Sequence, residues 1–203
     1  TQPDRQKELV GQVCRRLDGM LEVLNDLLLL AQSRDAAAKT DLEEVDLRTL
    51  LSNSVEFFRP QAAAKGVALS LTAGDNIPCL LASRSGLDCI CSNLISNAIK
   101  YTAKGGRVTV ALIPGGDQAV RLAVRDTGIG IPPEARERLF TEFYRAPNAR
   151  NTGETGTGLG LAITKKLVEG FGGRIDFDSA EGAGTTFTIT IPVRQPPAEP
   201  ASG

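Results

Sequence analysis

Histidine is absent from all 203 residues, and that one absence removes several mechanisms. A Ser-His-Asp triad, a Cys-His dyad, a His-ligated zinc and acid–base catalysis by an imidazole are excluded. Tryptophan is missing as well, methionine occurs once and aromatic residues make up 4% of the chain. No apolar run approaches the roughly 18–20 residues that span a bilayer; the longest is Leu27 to Ala31. The first residues are polar and charged, unlike a signal peptide. Excess charge is lacking too. With 23 Lys and Arg against 24 Asp and Glu, there is no general electrostatic drive toward nucleic acid or an anionic membrane. Cys14, Cys79, Cys89 and Cys91 form no CxxC pair. Three of them are expected in apolar surroundings as reduced structural thiols, which points to a reducing compartment.

What is present is the composition of a folded domain, 41% hydrophobic and 23% charged, with room for one domain and an appendage. From Asp4 to Asp35 the pattern predicts a long helix. Val10, Val13, Leu17, Met20, Leu24, Leu27 and Ala31 form a heptad seam, with Leu21 and Leu28 beside it. This is expected to be an oligomerising, coiled-coil-like helix rather than one packed on its own domain. A polar break, Ser33 to Thr40, follows. A second helix starts at Asp46 as N-cap and puts Leu47, Leu50, Leu51, Val55 and Phe58 on one face.

Beyond it strands and helices alternate. Val67, Leu69 and Leu71 have period two, Cys79 to Ala82 is a short apolar strand, and Gly86 to Tyr101 is helical. One hairpin runs from Val108, Val110 and Leu112 through Pro114-Gly115-Gly116-Asp117 to Val120, Leu122 and Val124. A second joins Ile175 and Phe177 to Phe187, Ile189 and Ile191. A helix from about Leu159 to Phe171 lies between the hairpins, closed by Gly172-Gly173. The fold class that follows is α+β, a two-layer α/β sandwich with a mixed, largely antiparallel sheet. Residues 41–193 form this domain, 1–40 the preceding helix and break, and 194–203 a Pro- and Ala-rich tail expected to be disordered.

Four segments carry chemistry. In Asn93-Leu94-Ile95-Ser96-Asn97-Ala98-Ile99-Lys100-Tyr101, helical spacing sends Asn93, Asn97 and Lys100 to nearly one side. Asn is a poor residue in a helix interior, and two of them one turn apart need a reason. Amide oxygens suit a hard cation such as Mg²⁺ and a lysine suits phosphate oxygens, although a solvated face would show the same spacing. In Asp126-Thr127-Gly128-Ile129-Gly130-Ile131, the glycines either make a turn or let a flat ligand approach the backbone, with Asp126 accepting from an exocyclic amine. Gly153 to Leu161 is glycine-rich and feeds a helix, a geometry that binds phosphate through free N–H groups; a flexible linker is the alternative. It matches neither a Walker A loop nor a dinucleotide fingerprint. Phe140-Thr141-Glu142-Phe143-Tyr144-Arg145 opens a stretch to Thr155 with only two alanines as apolar residues, the composition of a lid held by an aromatic cluster.

In order and spacing, Asn-x-x-x-Asn-Ala-x-Lys-Tyr, Asp-x-Gly-x-Gly, Phe-x-x-Phe-Tyr-Arg and Gly-Thr-Gly-Leu-Gly-Leu resemble the N, G1, F and G2 boxes of sensor histidine kinases. Gly182 to Phe187 is similar to the terminal glycine–threonine element of that family. The resemblance spans Asp46 to Val193. It implies a catalytic ATP-binding domain of the superfamily that includes gyrase and chaperone ATPases. It also makes residues 1–40 the second helix of a dimerisation and histidine-phosphotransfer hairpin, whose first, histidine-bearing helix is not among these residues. A fragment, or a kinase part acting on another chain, is therefore expected, one that cannot phosphorylate itself on histidine.

Carried onto matching positions, the resemblance implies Asn97 as Mg²⁺ ligand and Asn93 as support for the metal–phosphate site. Lys100 and Tyr101 would contact phosphate and ribose or adenine. Asp126 would read the adenine amine, Gly128 and Gly130 would allow its approach, and Thr186 would assist through water. Gly156, Thr157, Gly158, Leu159, Gly160 and Leu161 would form the lid end and phosphate cradle, and Arg145 would meet the γ-phosphate. Asn93, Lys100 and Arg145 are the implied catalytic residues, and ATP and Mg²⁺ the implied ligands. The implied partners are a histidine-bearing dimerisation helix, a response regulator and a second copy bound through the N-terminal helix, with no nucleic acid. A cytoplasmic location is implied, the full-length parent being soluble or anchored in the inner membrane. A nucleotide-binding pseudokinase and an ATPase of the wider superfamily are the alternatives. Related ATPases carry Glu where Asn93 stands, and an amide cannot act as that base.

Overall fold

A computed structural model describes residues 42–193 except Asp117 and Thr155. The expected N-terminal helix with its heptad seam, Cys14, the Ser33–Thr40 break and the C-terminal tail lie outside the described residues. So do one position of the first hairpin turn and the last position of the expected lid.

The elements run in the order β1 (Glu43–Val45), α1 (Leu47–Lys65), β2 (Ala68–Ala73), β3 (Leu80–Ala82), α2 (Arg84–Tyr101), β4 (Arg107–Pro114) and β5 (Ala119–Asp126). A 3₁₀ turn (Pro133–Arg138) follows, then α3 (Pro147–Arg150), α4 (Gly160–Gly170), β6 (Arg174–Ala180) and β7 (Gly184–Pro192). Five strands form one sheet in the order β2-β4-β5-β7-β6, parallel at β2–β4 and antiparallel elsewhere. The α+β sandwich with a mixed, largely antiparallel sheet is thus the observed fold.

Local chemistry sets the helix ends. Asp46 caps α1: its Oδ1 accepts from the Arg48 N–H at 2.9 Å and its Oδ2 from the Thr49 hydroxyl at 2.5 Å. Gly66 closes the helix at φ 71°, a left-handed conformation that glycine adopts without a Cβ clash. Ser83 caps α2. Every second residue of β4, β5 and β7 faces these helices. Val108, Val110, Leu112, Val120, Leu122, Val124, Phe187, Ile189 and Ile191 meet Leu87, Ile90, Leu94, Ile95 and Ile99 of α2 in one buried core. Because α2 spends its apolar face on the sheet, its asparagines are left to the other side.

Three features depart from the sequence expectations. β1 is an additional strand, pairing antiparallel with β3 through Val45 and Leu80; its two glutamates hide a single buried valine in a three-residue run. The lid stretch contains α3, one helical turn opened by Pro147 at a position where its missing N–H costs nothing. Among the described cysteines only Cys91 is a core thiol, since Cys79 is exposed and Cys89 half-buried. Cys79 stands one residue before the buried Leu80, so the apolar segment begins after it rather than with it. Among the described residues no helix is long and apolar enough to cross a membrane.

Leu94 is 1% exposed at the centre of this core. Leu94→Ala should lower the unfolding free energy by roughly 2–5 kcal/mol, read by urea titration with the slope unchanged.

Candidate functional site

One cavity, of about 980 Å³ with its open mouth, lies between α2, the loop after β5, the lid stretch and the start of α4. Asn93, Asn97, Lys100, Tyr101, Asp126, Gly130, Arg145, Gly156, Thr157, Gly158, Gly160 and Leu161 all line it. The four segments singled out in sequence, 60 and more residues apart at their extremes, therefore converge on one space.

Along α2, Asn93 Nδ2 donates to the Thr164 hydroxyl of α4 at 2.9 Å, while Asn93 Oδ1 accepts from Asn97 Nδ2 at 3.1 Å. The Asn93 amide is thus used at both ends within the protein, which fixes its orientation and that of Asn97. Asn97 lines the cavity, and with its NH₂ directed at Asn93 its amide oxygen is left as an acceptor. The approach of α4 depends on glycine: a Cβ on Gly160 would lie 2.3 Å from Asn93 Oδ1. Lys100 Nζ lies 3.2 Å from where a Cβ on Gly156 would sit, so its ammonium faces the glycine-rich loop. The amide oxygen of a cavity-lining asparagine, an ammonium and a glycine-rich helix start form a set that fits a hard cation bound together with phosphate oxygens.

At the other end Asp126, 7% exposed, closes β5. Its Oδ1 accepts from the N–H groups of Gly128 at 2.8 Å and Thr185 at 3.2 Å. Burial pushes its carboxyl above the usual range, and the two backbone hydrogen bonds oppose that rise without cancelling it.

The lid stretch is held by its own side chains. Phe140 packs edge-on against Phe177, ring centres 5.9 Å apart, and the Arg138 guanidinium stacks over Tyr144 at 4.6 Å. Phe143 is exposed and contributes nothing to this anchoring. Arg145 donates to the carbonyls of Ala149 at 3.2 Å and Glu154 at 2.6 Å. The Glu154 carboxylate takes an ion pair from Lys65, at the end of α1, at 2.8 Å; Lys65 also donates to the Lys100 carbonyl.

Three expected site residues do not line the cavity. Thr186 points away from it and Thr185 lines it instead. On a strand alternate residues share a face, and counting back two from buried Phe187 reaches Thr185, so the signal was present in the sequence. Leu159 is fully buried in protein. Gly128 is glycine because a Cβ there would meet the Tyr101 carbonyl at 2.4 Å, a constraint of packing rather than of ligand approach. Asn148, Leu139, Ile129 and Ile131 also line the cavity; Asn148 Nδ2 donates to the Gly130 carbonyl at 2.9 Å. No periodic pattern marked these loop residues.

The chain is similar to known proteins over most of its length. A family model described as histidine kinase-, DNA gyrase B-, and HSP90-like ATPase matches residues 82–195. The chain is 32% identical over 194 residues to the adaptive-response sensory kinase SasA of Crocosphaera subtropica, covering 94% of this chain and 50% of that one. Full-length ShkA, solved in complex with AMPPNP, superposes with a TM-score of 0.78 at 31% identity, over 94% of this chain and 40% of ShkA. The mycobacterial sensor histidine kinase MprB gives 0.65 at 32% identity, over 75% of this chain and 98% of that structure. The chain thus spans half or less of the length of SasA and ShkA.

The buried Asp126 carboxylate makes a testable contribution of its own. A folded-state pKa raised above the unfolded value means that the folded protein holds this proton more tightly. The group therefore costs nothing below the unfolded value, and costs stability increasingly as pH rises through the folded one. Asp126→Asn should raise the melting temperature of the ligand-free protein at pH 7. That gain should shrink toward pH 4. A lower melting temperature at pH 7 would refute the assignment.

Proposed function

From the premise that this chain belongs to the histidine kinase-, DNA gyrase B- and HSP90-like ATPase family, on its sensor histidine kinase side, we propose that residues 41–193 bind ATP with Mg²⁺ and pass the γ-phosphoryl group to a histidine of a dimerisation helix, in two-component signalling. The observation that carries this reading is the single cavity with the Asn97 oxygen, Lys100 and the glycine-rich loop at one end and the buried Asp126 acceptor at the other. That is a phosphate end and an amine-reading end in one space.

In this reading Asp126 accepts from the adenine amine, Tyr101 lies along the nucleoside, and Lys100 with the Gly156–Gly160 backbone holds the phosphates. Asn97 would hold Mg²⁺ through its amide oxygen, with Asn93 fixing its orientation; the ion would supply charge neutralisation to the bound phosphates. Arg145 would turn from the lid carbonyls to the γ-phosphate. An imidazole nitrogen of the acceptor attacks the γ-phosphorus as the bond to the β,γ-bridging oxygen breaks, and ADP leaves. A neutral imidazole needs no base to attack, so the domain's contribution is positioning and electrostatics.

The chain has no histidine, so the acceptor lies outside these residues. A response regulator would then take the phosphoryl group, and ATP as substrate puts the domain on the cytoplasmic side. Asn93 argues against an ATPase motor, because an amide cannot activate water as a base.

Mixing the chain with γ-labelled ATP, Mg²⁺ and a separately made histidine-bearing dimerisation hairpin tests the reading. Acid-labile, base-stable label on the hairpin is expected. Tight ATP binding with no label would instead indicate a nucleotide-binding pseudokinase, and rapid phosphate release an ATPase. Asn97→Ala should weaken Mg²⁺-dependent ATP binding by on the order of tenfold or more, leaving the unfolding midpoint near that of wild type. Titration calorimetry showing unchanged affinity would sink the metal assignment.

A further inference from the structure

Behind the amine-reading end of the cavity lies a hydroxyl with every hydrogen-bonding position filled. Ser179, on β6 and 6% exposed, has its Oγ 2.9 Å from the Ile131 N–H, 2.9 Å from the Gly184 carbonyl and 2.9 Å from the Thr185 hydroxyl. The proton count around it has one solution. A serine hydroxyl donates once and accepts twice. Ile131 can only donate and the Gly184 carbonyl can only accept, so Ser179 takes the first and gives its single proton to the second. The remaining contact must then be filled by the proton of Thr185. Thr185 lines the cavity and donates its backbone N–H to Asp126 Oδ1 at 3.2 Å. With its hydroxyl proton turned back onto Ser179, it presents only lone pairs to the cavity.

We infer that Ser179 is a positioning residue that locks the Thr185 hydroxyl as an acceptor beside Asp126, so that this wall of the cavity takes a purine amine and repels a purine keto oxygen. The inference rests on the nucleotide reading above. It deepens that reading by naming what sets base selectivity besides the carboxylate. An amino group with two N–H bonds satisfies both acceptors, directly or through a water. A keto oxygen at the same place meets lone pairs only and leaves buried acceptors unpaired. Without the Ser179 hydroxyl, the Thr185 O–H is free to rotate toward the cavity and donate to that keto oxygen.

The test is a double-mutant cycle on the full chain, reading the ratio of ITP to ATP dissociation constants by calorimetry. The two nucleotides differ at the purine 6-position, keto against amine. Ser179→Ala should lower that ratio by roughly threefold to tenfold, the worth of one net hydrogen bond. In a Thr185→Val background, where no hydroxyl remains to be oriented, Ser179→Ala should leave the ratio unchanged. A merely structural role for Ser179 would weaken both nucleotides alike and leave the ratio where it was. A ratio unmoved by Ser179→Ala, or one lowered equally with and without the Thr185 hydroxyl, overturns the inference. Should Ser179→Ala fail to fold, Ser179→Cys, which keeps the volume and only a weak donor, takes its place under the same criteria. Failure of the wild-type chain to bind ATP overturns the nucleotide reading and this inference together. ATP binding with an additive cycle overturns this inference alone.

Discussion

Oδ1 of Asp126 accepts two backbone N–H groups that come from opposite directions, Gly128 in the loop leaving β5 and Thr185 in β7. Both walls of that end of the cavity are registered on that one atom. β5 and β7 are neighbours in the sheet, so their pairing brings Thr185 alongside, and the loop turns back because Gly128 can press against the Tyr101 carbonyl. The price of the arrangement is a carboxylate kept out of water. Burial disfavours the charged form of such a group, and the two backbone N–H bonds offset part of that cost.

The opposite end is built on the same principle of using up polar capacity within the protein until one group is left over. Asn93 donates from its NH₂ to Thr164 and accepts at its oxygen from Asn97, and is thereby fixed in orientation. Beside it the Asn97 oxygen is left as an acceptor, its amide oriented by the bond to Asn93. Ser179 stands to Thr185 much as Asn93 stands to Asn97, since in both pairs one residue's hydrogen bonds orient its neighbour's polar group.

Much of this was legible in the sequence, and the parts that were not have physical reasons. Period-two runs such as Val108, Val110 and Leu112 mark strands because one face of the sheet is buried and the other is not. The spacing of Asn93, Asn97 and Lys100 marks a helix face because their apolar neighbours face the core. β1 escaped because three residues contain no full period. Thr186 falls on the face of β7 away from the cavity, because the parity that buries Phe187 puts Thr185 on the cavity side. Lys65 and Glu154, 89 positions apart, share no pattern; only the finished fold brings an α1 terminus to the glycine-rich loop. Ser179 looked like any strand serine, and its significance lies wholly in the count of its three neighbours.

The bonds from Arg145 to the carbonyls of Ala149 and Glu154 carry a last consequence. They place the guanidinium in a competition: any anion that recruits it must outbid two carbonyls, while Lys65 still grips the Glu154 side chain. Affinity measured for such an anion is accordingly a difference, the intrinsic strength of the contacts reduced by the fraction of molecules in which the arginine is released. Sequence changes at positions 150–154, which do not line the cavity, can therefore tune how readily such an anion recruits the arginine.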